Sequence, residues 1–127
     1  MNTIVIHTVQ GGIIKGSTGD FRPNQEKFHV ILDNGEVAAM SVPKLKAVFF
    51  VKDLTGDPDR EDTYEDVVPG GGRKVQVTFK DGEVIVGFTT AYSAERPGWF
   101  LVPADEGSNN LRIFVLNSAV QMVRMLD

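Results

Sequence analysis

Apolar and polar residues alternate in several short stretches of this chain, and turn-forming residues separate the stretches. Between residues 75 and 80, apolar side chains occupy every second position, which is the period of a β-strand with one buried face. Asp81 and Gly82 follow, and this pair favours a type I′ turn, in which both central residues have a positive φ. Residues 83–88 then return as a second strand, where Gly87 permits a bulge or a sharp bend.

The same pattern predicts ten short strands and no helix of useful length. The predicted strands are residues 3–9, 12–19, 27–32, 36–42, 46–52, 75–80, 83–88, 99–102, 111–116 and 120–125. Short strands separated by turn signals are typical of barrels and sandwiches, so the expected fold class is all-β. The best helix candidate is a turn or two beginning at Asp57 and Pro58.

The second half of the chain repeats the first. Residues 4–16 align with residues 75–87 at an offset of 71 without a gap. Near the end of each copy the offset becomes 75, because residues 45–48 match residues 120–123. The second copy therefore carries about four additional residues. We place them in the turn at residues 105–110, since insertions cost least at turn tips.

Each copy contains the same motif: two apolar residues, a turn glycine, a second glycine five residues later and an aromatic residue after five more. Its residues are Ile4, Ile6, Gly11, Gly16 and Phe21 in the first copy and Val75, Val77, Gly82, Gly87 and Tyr92 in the second, where Asp81 precedes the turn glycine. The motif resembles the first motif of Sm-like proteins, which include the RNA-binding LSm proteins and bacterial Hfq. The short last strand of each copy resembles their second motif. The resemblance implies two tandem five-stranded Sm-like (SH3-like) barrels.

The loops of this chain differ from those that bind RNA in Sm-like proteins. The corresponding stretches are residues 22–25, 42–44, 93–96 and 117–119. They do not match the nucleotide-contacting residues of that family, so no RNA-binding role is carried over to them. The chain also resembles an uncharacterised bacterial family in residues 45–51 and 96–100, and that resemblance implies no activity.

Charge is concentrated between the two copies. We expect a first barrel at residues 1–52, an acidic Gly- and Pro-containing linker at residues 53–72 and a second barrel at residues 73–127. The net charge is −4, and residues 52–72 carry seven acidic and two basic side chains. Nucleic-acid binding usually rests on a dense cationic surface, so charge does not support an RNA partner, and no DNA partner is expected.

Composition bears on disulfides, metal sites, membrane spans and cellular location. It has no Cys, which excludes disulfides and thiolate metal sites. No run of 18 apolar residues occurs, so no membrane span or membrane partner is expected. The first residues lack the basic stretch and apolar core of a secretory signal, and we expect a cytoplasmic protein.

Candidate chemistry is sparse. His7 and His29 have no convergent partners nearby in sequence, and serines occur outside any Gly-x-Ser-x-Gly motif. The acidic run at residues 57–62 fails the calcium-loop pattern, and Gly70–Gly72 is not followed by the Lys-Ser/Thr of a phosphate-binding loop. We therefore expect no catalytic residue, cofactor or metal, and no enzyme.

The most informative stretch is the apolar run at residues 47–51. Neighbouring residues of a strand point to opposite faces, so both faces of this strand should be covered, either by the other copy or by another subunit. Trp99 is either barrel core with Arg96 at its edge or an exposed anchor. Residues that could make an interface or ligand contact are Phe49, Phe50, Arg96, Trp99, Asn109 and Asn110.

These features favour a non-enzymatic binding or scaffolding module that self-associates or binds a protein. Sm-like barrels join through their fourth and fifth strands, so the resemblance implies that three chains could imitate a ring of six units. Two alternatives stay open: an RNA-binding Sm-like ring protein, and a sensor of a small ligand such as a nucleotide.

Overall fold

A computed structural model describes residues 1–55, 72–105 and 107–126, and within them the chain is all-β. Ten strands form one antiparallel sheet: β1 Asn2–Thr8, β2 Ile13–Thr18, β3 Lys27–Leu32, β4 Val37–Ser41, β5 Leu45–Val51, β6 Arg73–Phe79, β7 Val84–Thr89, β8 Gly98–Pro103, β9 Asn110–Leu116 and β10 Val120–Met125. All ten predicted strands are confirmed to within a few residues. Most of the predicted linker, with the helix candidate at Asp57, lies outside the described residues. No helix in the described part of the chain is long and apolar enough to cross a membrane.

The two halves of the sheet have the same strand order. The order is β10-β6-β7-β8-β9-β5-β1-β2-β3-β4, so the fifth strand of each half lies beside its first. We call β1–β5 unit 1 and β6–β10 unit 2. Strand β5 pairs with β9, and we call this contact the junction.

The hairpin turn at the start of unit 2 differs from the predicted type I′ turn. Gly82 has a φ of 95°, whereas the aspartate before it does not have a positive φ. The Gly82 amide donates to the Phe79 carbonyl (2.9 Å) and the Phe79 amide to the Glu83 carbonyl (2.8 Å), so the turn has three residues. Only the last residue of such a turn needs the left-handed conformation, which glycine adopts without steric cost. Gly11 makes the same turn in unit 1.

Gly16 and Gly87 lie where the second strand of each unit crosses the third. A Cβ at Gly87 would lie against the Val102 carbonyl oxygen, and a Cβ at Gly16 would meet the Ile31 carbonyl oxygen in the same way. Strand β7 pairs with β6 along its length, but it pairs with β8 only through Gly87 and Phe88. The glycine therefore permits the close approach at which β8 turns away from β7.

A buried threonine holds the same crossing in both units. The Thr18 hydroxyl donates to the His29 carbonyl (2.8 Å), and the Thr89 hydroxyl donates to the Phe100 carbonyl (2.7 Å). Both pairs are related by the repeat offset of 71, and both threonines are buried. The repeat therefore preserves a hydrogen bond as well as the apolar pattern.

Gly87→Ala should destabilise the fold strongly, because its methyl group would meet backbone that cannot move without breaking the crossing. We expect a loss of about 3 kcal/mol in the free energy of unfolding, measured by urea denaturation. Gly82→Ala is the matched control, since a Cβ there meets nothing within 4 Å. Its cost should be only the left-handed backbone, about 1 kcal/mol. Equal losses in the two variants would contradict the close crossing.

Candidate functional site

The junction is the contact at which the two units share strands and side chains. Strands β5 and β9 pair antiparallel, with Ala47 opposite Val115 and Phe49 opposite Ile113. Phe49 packs in the core of unit 2, whereas Phe50 packs in the core of unit 1. The predicted coverage of both faces of residues 47–51 is confirmed, and within this chain the second unit supplies it.

Strands β8 and β9 place aromatic side chains in unit 1, Phe100 from β8 and Phe114 from β9. The ring centroid of Phe114 lies 5.1 Å from that of Phe21, and the centroid of Phe100 lies 5.7 Å from that of Phe50. The Arg112 guanidinium lies 4.4 Å from the ring centroids of both Phe50 and Phe100. Aromatic and cation–π contacts of this kind make the core of unit 1 depend on strands from unit 2.

Lys46 stands at a bulge in the middle of this apolar contact. His7 pairs with Ala47 and Thr8 pairs with Leu45, so Lys46 is an extra residue on β5. A bulge re-aims a side chain, and here the lysine points towards unit 2 instead of solvent. Its side chain is only 9% exposed.

Two carboxylates and one ring from unit 2 surround the Lys46 ammonium. Lys46 Nζ lies 2.7 Å from Asp81 Oδ2, forms a short ion pair with Glu83 and lies 4.7 Å from the centroid of the Phe79 ring. We call Lys46, Asp81, Glu83 and Phe79 the lysine cluster. The cluster was not predicted from the sequence, although a lysine directly before five apolar residues is a signal of an unusual environment.

The charges in the lysine cluster stabilise one another. Burial alone lowers the pKa of Lys46, but hydrogen bonds to Asp81 and Glu83 outweigh burial, so the pKa is raised above its ordinary value. The hydrogen bond from Lys46 and a second one from the Glu83 amide lower the pKa of Asp81. The ammonium and the carboxylate therefore both stay charged near neutral pH.

His7 lies beside the lysine cluster. Its ring centroid is 4.6 Å from that of Phe49, and the side chain is half-buried. Burial lowers the pKa of His7, while the carboxylates of Glu83 and Asp81 act in the opposite direction and Lys46 adds to the lowering. His7 therefore favours the neutral state in the folded protein.

Two open pockets flank the lysine cluster. One of about 390 Å³ is lined by Val9, Pro43, Lys46, Lys80, Asp81, Ser118 and Ala119. The other, of about 360 Å³, is lined by His7, Thr8, Gly11, Gly12, Ile13, Lys46, Asp81 and Glu83. Lys46, the buried cation that lines both pockets, is already bound by two carboxylates. In the described residues no group of three His, Cys, Asp or Glu side chains could hold a metal ion.

Trp99, a predicted contact residue, lies in the core of unit 2 and is 2% exposed. Its indole Nε1 donates to Asn117 Oδ1 (2.9 Å). Asn117 in turn donates to the carbonyls of Ser93 (2.7 Å) and Arg96 (2.9 Å), so Arg96 takes part through its backbone. Asn117 therefore ties the loop before β8 to the tryptophan.

Asn109, another predicted contact residue, holds the chain beyond β5. Its Nδ2 donates to the Asp53 carbonyl (2.8 Å), and its Oδ1 accepts from the Asp53 amide (3.1 Å). The Asn109 carbonyl also accepts from the Lys52 amide (2.8 Å). Asn110 is half-buried, and its amide donates to the Ser108 hydroxyl (3.1 Å). The longer turn of the second copy thus reaches across to unit 1.

Comparison with known proteins yields one family. A profile described as a family of unknown function, DUF6982, matches residues 1–127. No curated protein and no solved structure matches the chain.

Removing the two carboxylates of the lysine cluster should destabilise the protein more than removing the lysine. Asp81→Asn with Glu83→Gln leaves a buried ammonium without an anion, whereas Lys46→Met leaves two carboxylates that water reaches. Urea denaturation at neutral pH measures both losses. A larger loss for Lys46→Met would contradict this arrangement.

The stability of the protein should fall as His7 becomes protonated. Because the pKa of His7 is lower in the folded protein, its contribution is present above the ordinary value of 6.5 and is lost as the pH falls below that value. The free energy of unfolding of the wild type should therefore drop more steeply between about pH 7 and about pH 5 than that of His7→Phe, which keeps the ring contact. A difference between the two proteins that stays constant with pH would exclude this role.

Proposed function

This chain belongs to DUF6982, and we propose that it serves as a non-enzymatic scaffolding module that binds further copies of itself through the two ends of its sheet. In this proposal each unit is a small Sm-like barrel, and the pair is built in tandem. The shared strand order of the two units supports the tandem arrangement. The observation that carries the proposed function is that the two end strands of the described sheet have unpaired edges with exposed apolar side chains.

Among the described strands, the two at the ends of the sheet, β4 and β10, each pair with a neighbour on one side only. Large apolar side chains are exposed on them: Val37 is 63% exposed, Met122 is 47% exposed, and Leu126 just beyond β10 is 40% exposed. Strand β4 carries no charged residue, and β10 carries one, Arg124. Open apolar edges attract another strand, and proteins that stay monomeric usually cover or charge them.

The junction supplies the template for such a contact. Strand β9 is the fourth strand of unit 2, and β5 is the fifth strand of unit 1. Within the described part of the chain, the free edges are the fourth strand of unit 1 and the fifth strand of unit 2. Two copies can therefore join head to tail, β10 of one against β4 of the next, by the same kind of pairing that joins the units. A head-to-tail contact closes into a ring when the rotation permits and otherwise extends as a filament.

The open pocket beside β10 supports the same contact. It has a volume of about 340 Å³ and includes Tyr92 and Met125 among its lining residues. These two residues occupy the repeat positions of Phe21 and Phe50. In unit 1 the space beside Phe21 and Phe50 is filled by aromatic side chains from unit 2. No described residue fills the corresponding place on unit 2, as expected if a neighbouring copy fills it.

Light scattering after size exclusion tests the proposal. The wild type should form an assembly of defined mass, or one that grows with concentration. Lysine on either edge, as Val37→Lys or Met122→Lys, should reduce it to the monomer, because charge blocks strand addition. Leu111→Lys is the control, since Leu111 is 54% exposed but lies on a strand paired on both sides.

Mixing the two edge variants provides a sharper test. Val37→Lys keeps an intact β10, and Met122→Lys keeps an intact β4. A head-to-tail contact therefore predicts that the mixture forms a dimer that cannot grow, although each variant alone is monomeric. A wild type that stays strictly monomeric at high concentration would overturn the proposed function.

A further inference from the structure

We propose that the contact between copies uses a pair of glutamines, Gln121 of one copy and Gln10 of the next, where the junction uses the lysine cluster. The two contacts would then be chemically distinct, so that neither can replace the other. This inference rests on the proposed self-association. It adds the register of the contact and the residues that determine which strands pair.

Gln121 occupies the same structural position in unit 2 as Lys46 does in unit 1. Val120 pairs with Phe79 and Met122 pairs with Thr78, so Gln121 is the extra residue of a bulge on β10. The repeat offset of 75 also aligns it with Lys46. Gln121 is exposed, and no described strand lies beyond β10.

The partners of Lys46 also have counterparts in unit 1. At the offset of 71, Asp81 corresponds to Gln10, Glu83 to Gly12 and Phe79 to Thr8. Gln10 is exposed at the tip of the β1–β2 turn. Placing β10 of one copy against β4 of the next in the register of the junction therefore brings Gln121 to the turn that contains Gln10.

The four positions of the lysine cluster hold different residues at the contact between copies, but within each contact the residues can bind one another. A cation, two carboxylates and an aromatic face suit one another, because the ammonium only donates and both carboxylates only accept. An amide can donate to and accept from a second amide or a hydroxyl, so Gln121 suits Gln10 and Thr8. If one residue of the lysine cluster is replaced by its repeat counterpart, or the reverse, the remaining residues no longer have a suitable hydrogen-bond or ion-pair partner.

The difference between these two sets of residues disfavours the pairing of β5 with β4, or of β10 with β9, between copies. If β5 of one copy paired with β4 of another, Lys46 would be buried against Gln10 and Thr8 with no anion. If β10 paired with β9, Asp81 and Glu83 would face an amide in place of their cation. Specificity of this kind arises from the penalty on wrong partners as much as from the correct contact.

Charge exchange at the glutamine pair tests the inference in the full chain. Gln121→Lys should weaken the association between copies by about tenfold, because its ammonium would be buried without an anion. Gln10→Asp should weaken it by a smaller factor. The double variant should recover affinity to within about threefold of the wild type, because it recreates the contact between Lys46 and Asp81. Sedimentation velocity measures the association of each protein.

Mixtures and controls separate this inference from the proposed function. An equimolar mixture of Gln121→Lys and Gln10→Asp should assemble more tightly than either variant alone, since each lysine can meet an aspartate. Gln25→Lys and Asn24→Asp make the same charge changes in an exposed loop and should leave assembly unchanged. If the wild type assembles but the double variant is no better than the weaker single variant, the glutamine contact is wrong and self-association stands. If the wild type does not assemble, both fall.

Discussion

The pairing of β5 with β9 is the contact on which both units depend. A strand of a sheet normally covers one core with one face, but residues 47–51 are apolar on both faces. Alternate side chains of β5 enter the cores of units 1 and 2, and β9 divides its side chains in the same way. Neither unit can therefore complete its core without a strand from the other. We expect the two units to unfold together.

The lysine cluster gives this apolar contact its register. Apolar side chains can slide along one another at small cost, whereas a buried ammonium tolerates only positions where anions reach it. The bulge at Lys46 and the turn that carries Asp81 must meet for the junction to close. Asn109 adds a second constraint at the other end of the contact by holding the backbone of Asp53. One polar contact at each end of the apolar run therefore determines its alignment.

Much of the fold could be predicted from the sequence, because strand period and turn glycines are local signals. All ten strands and the double burial of residues 47–51 were visible in this way. The three-residue turn at Gly82 was not, since Asp-Gly fits more than one turn and only the backbone hydrogen bonds distinguish them. The partners of Lys46 and Asn109 were also not predictable, because they lie on the other unit. A single-sequence pattern does not encode which distant strand supplies them.

The long separation of the junction strands has a consequence for the order of folding. Phe49 and Ile113 are paired although they are 64 positions apart, while each hairpin joins near neighbours. Contacts between distant segments form late, because closing a long loop costs entropy before any contact repays it. During that interval the run from Ala47 to Val51 is an exposed segment of high β propensity and no charge, the kind that aggregates. Lys46 borders this run, and a charge in that position opposes aggregation until the ammonium is buried against Asp81 and Glu83.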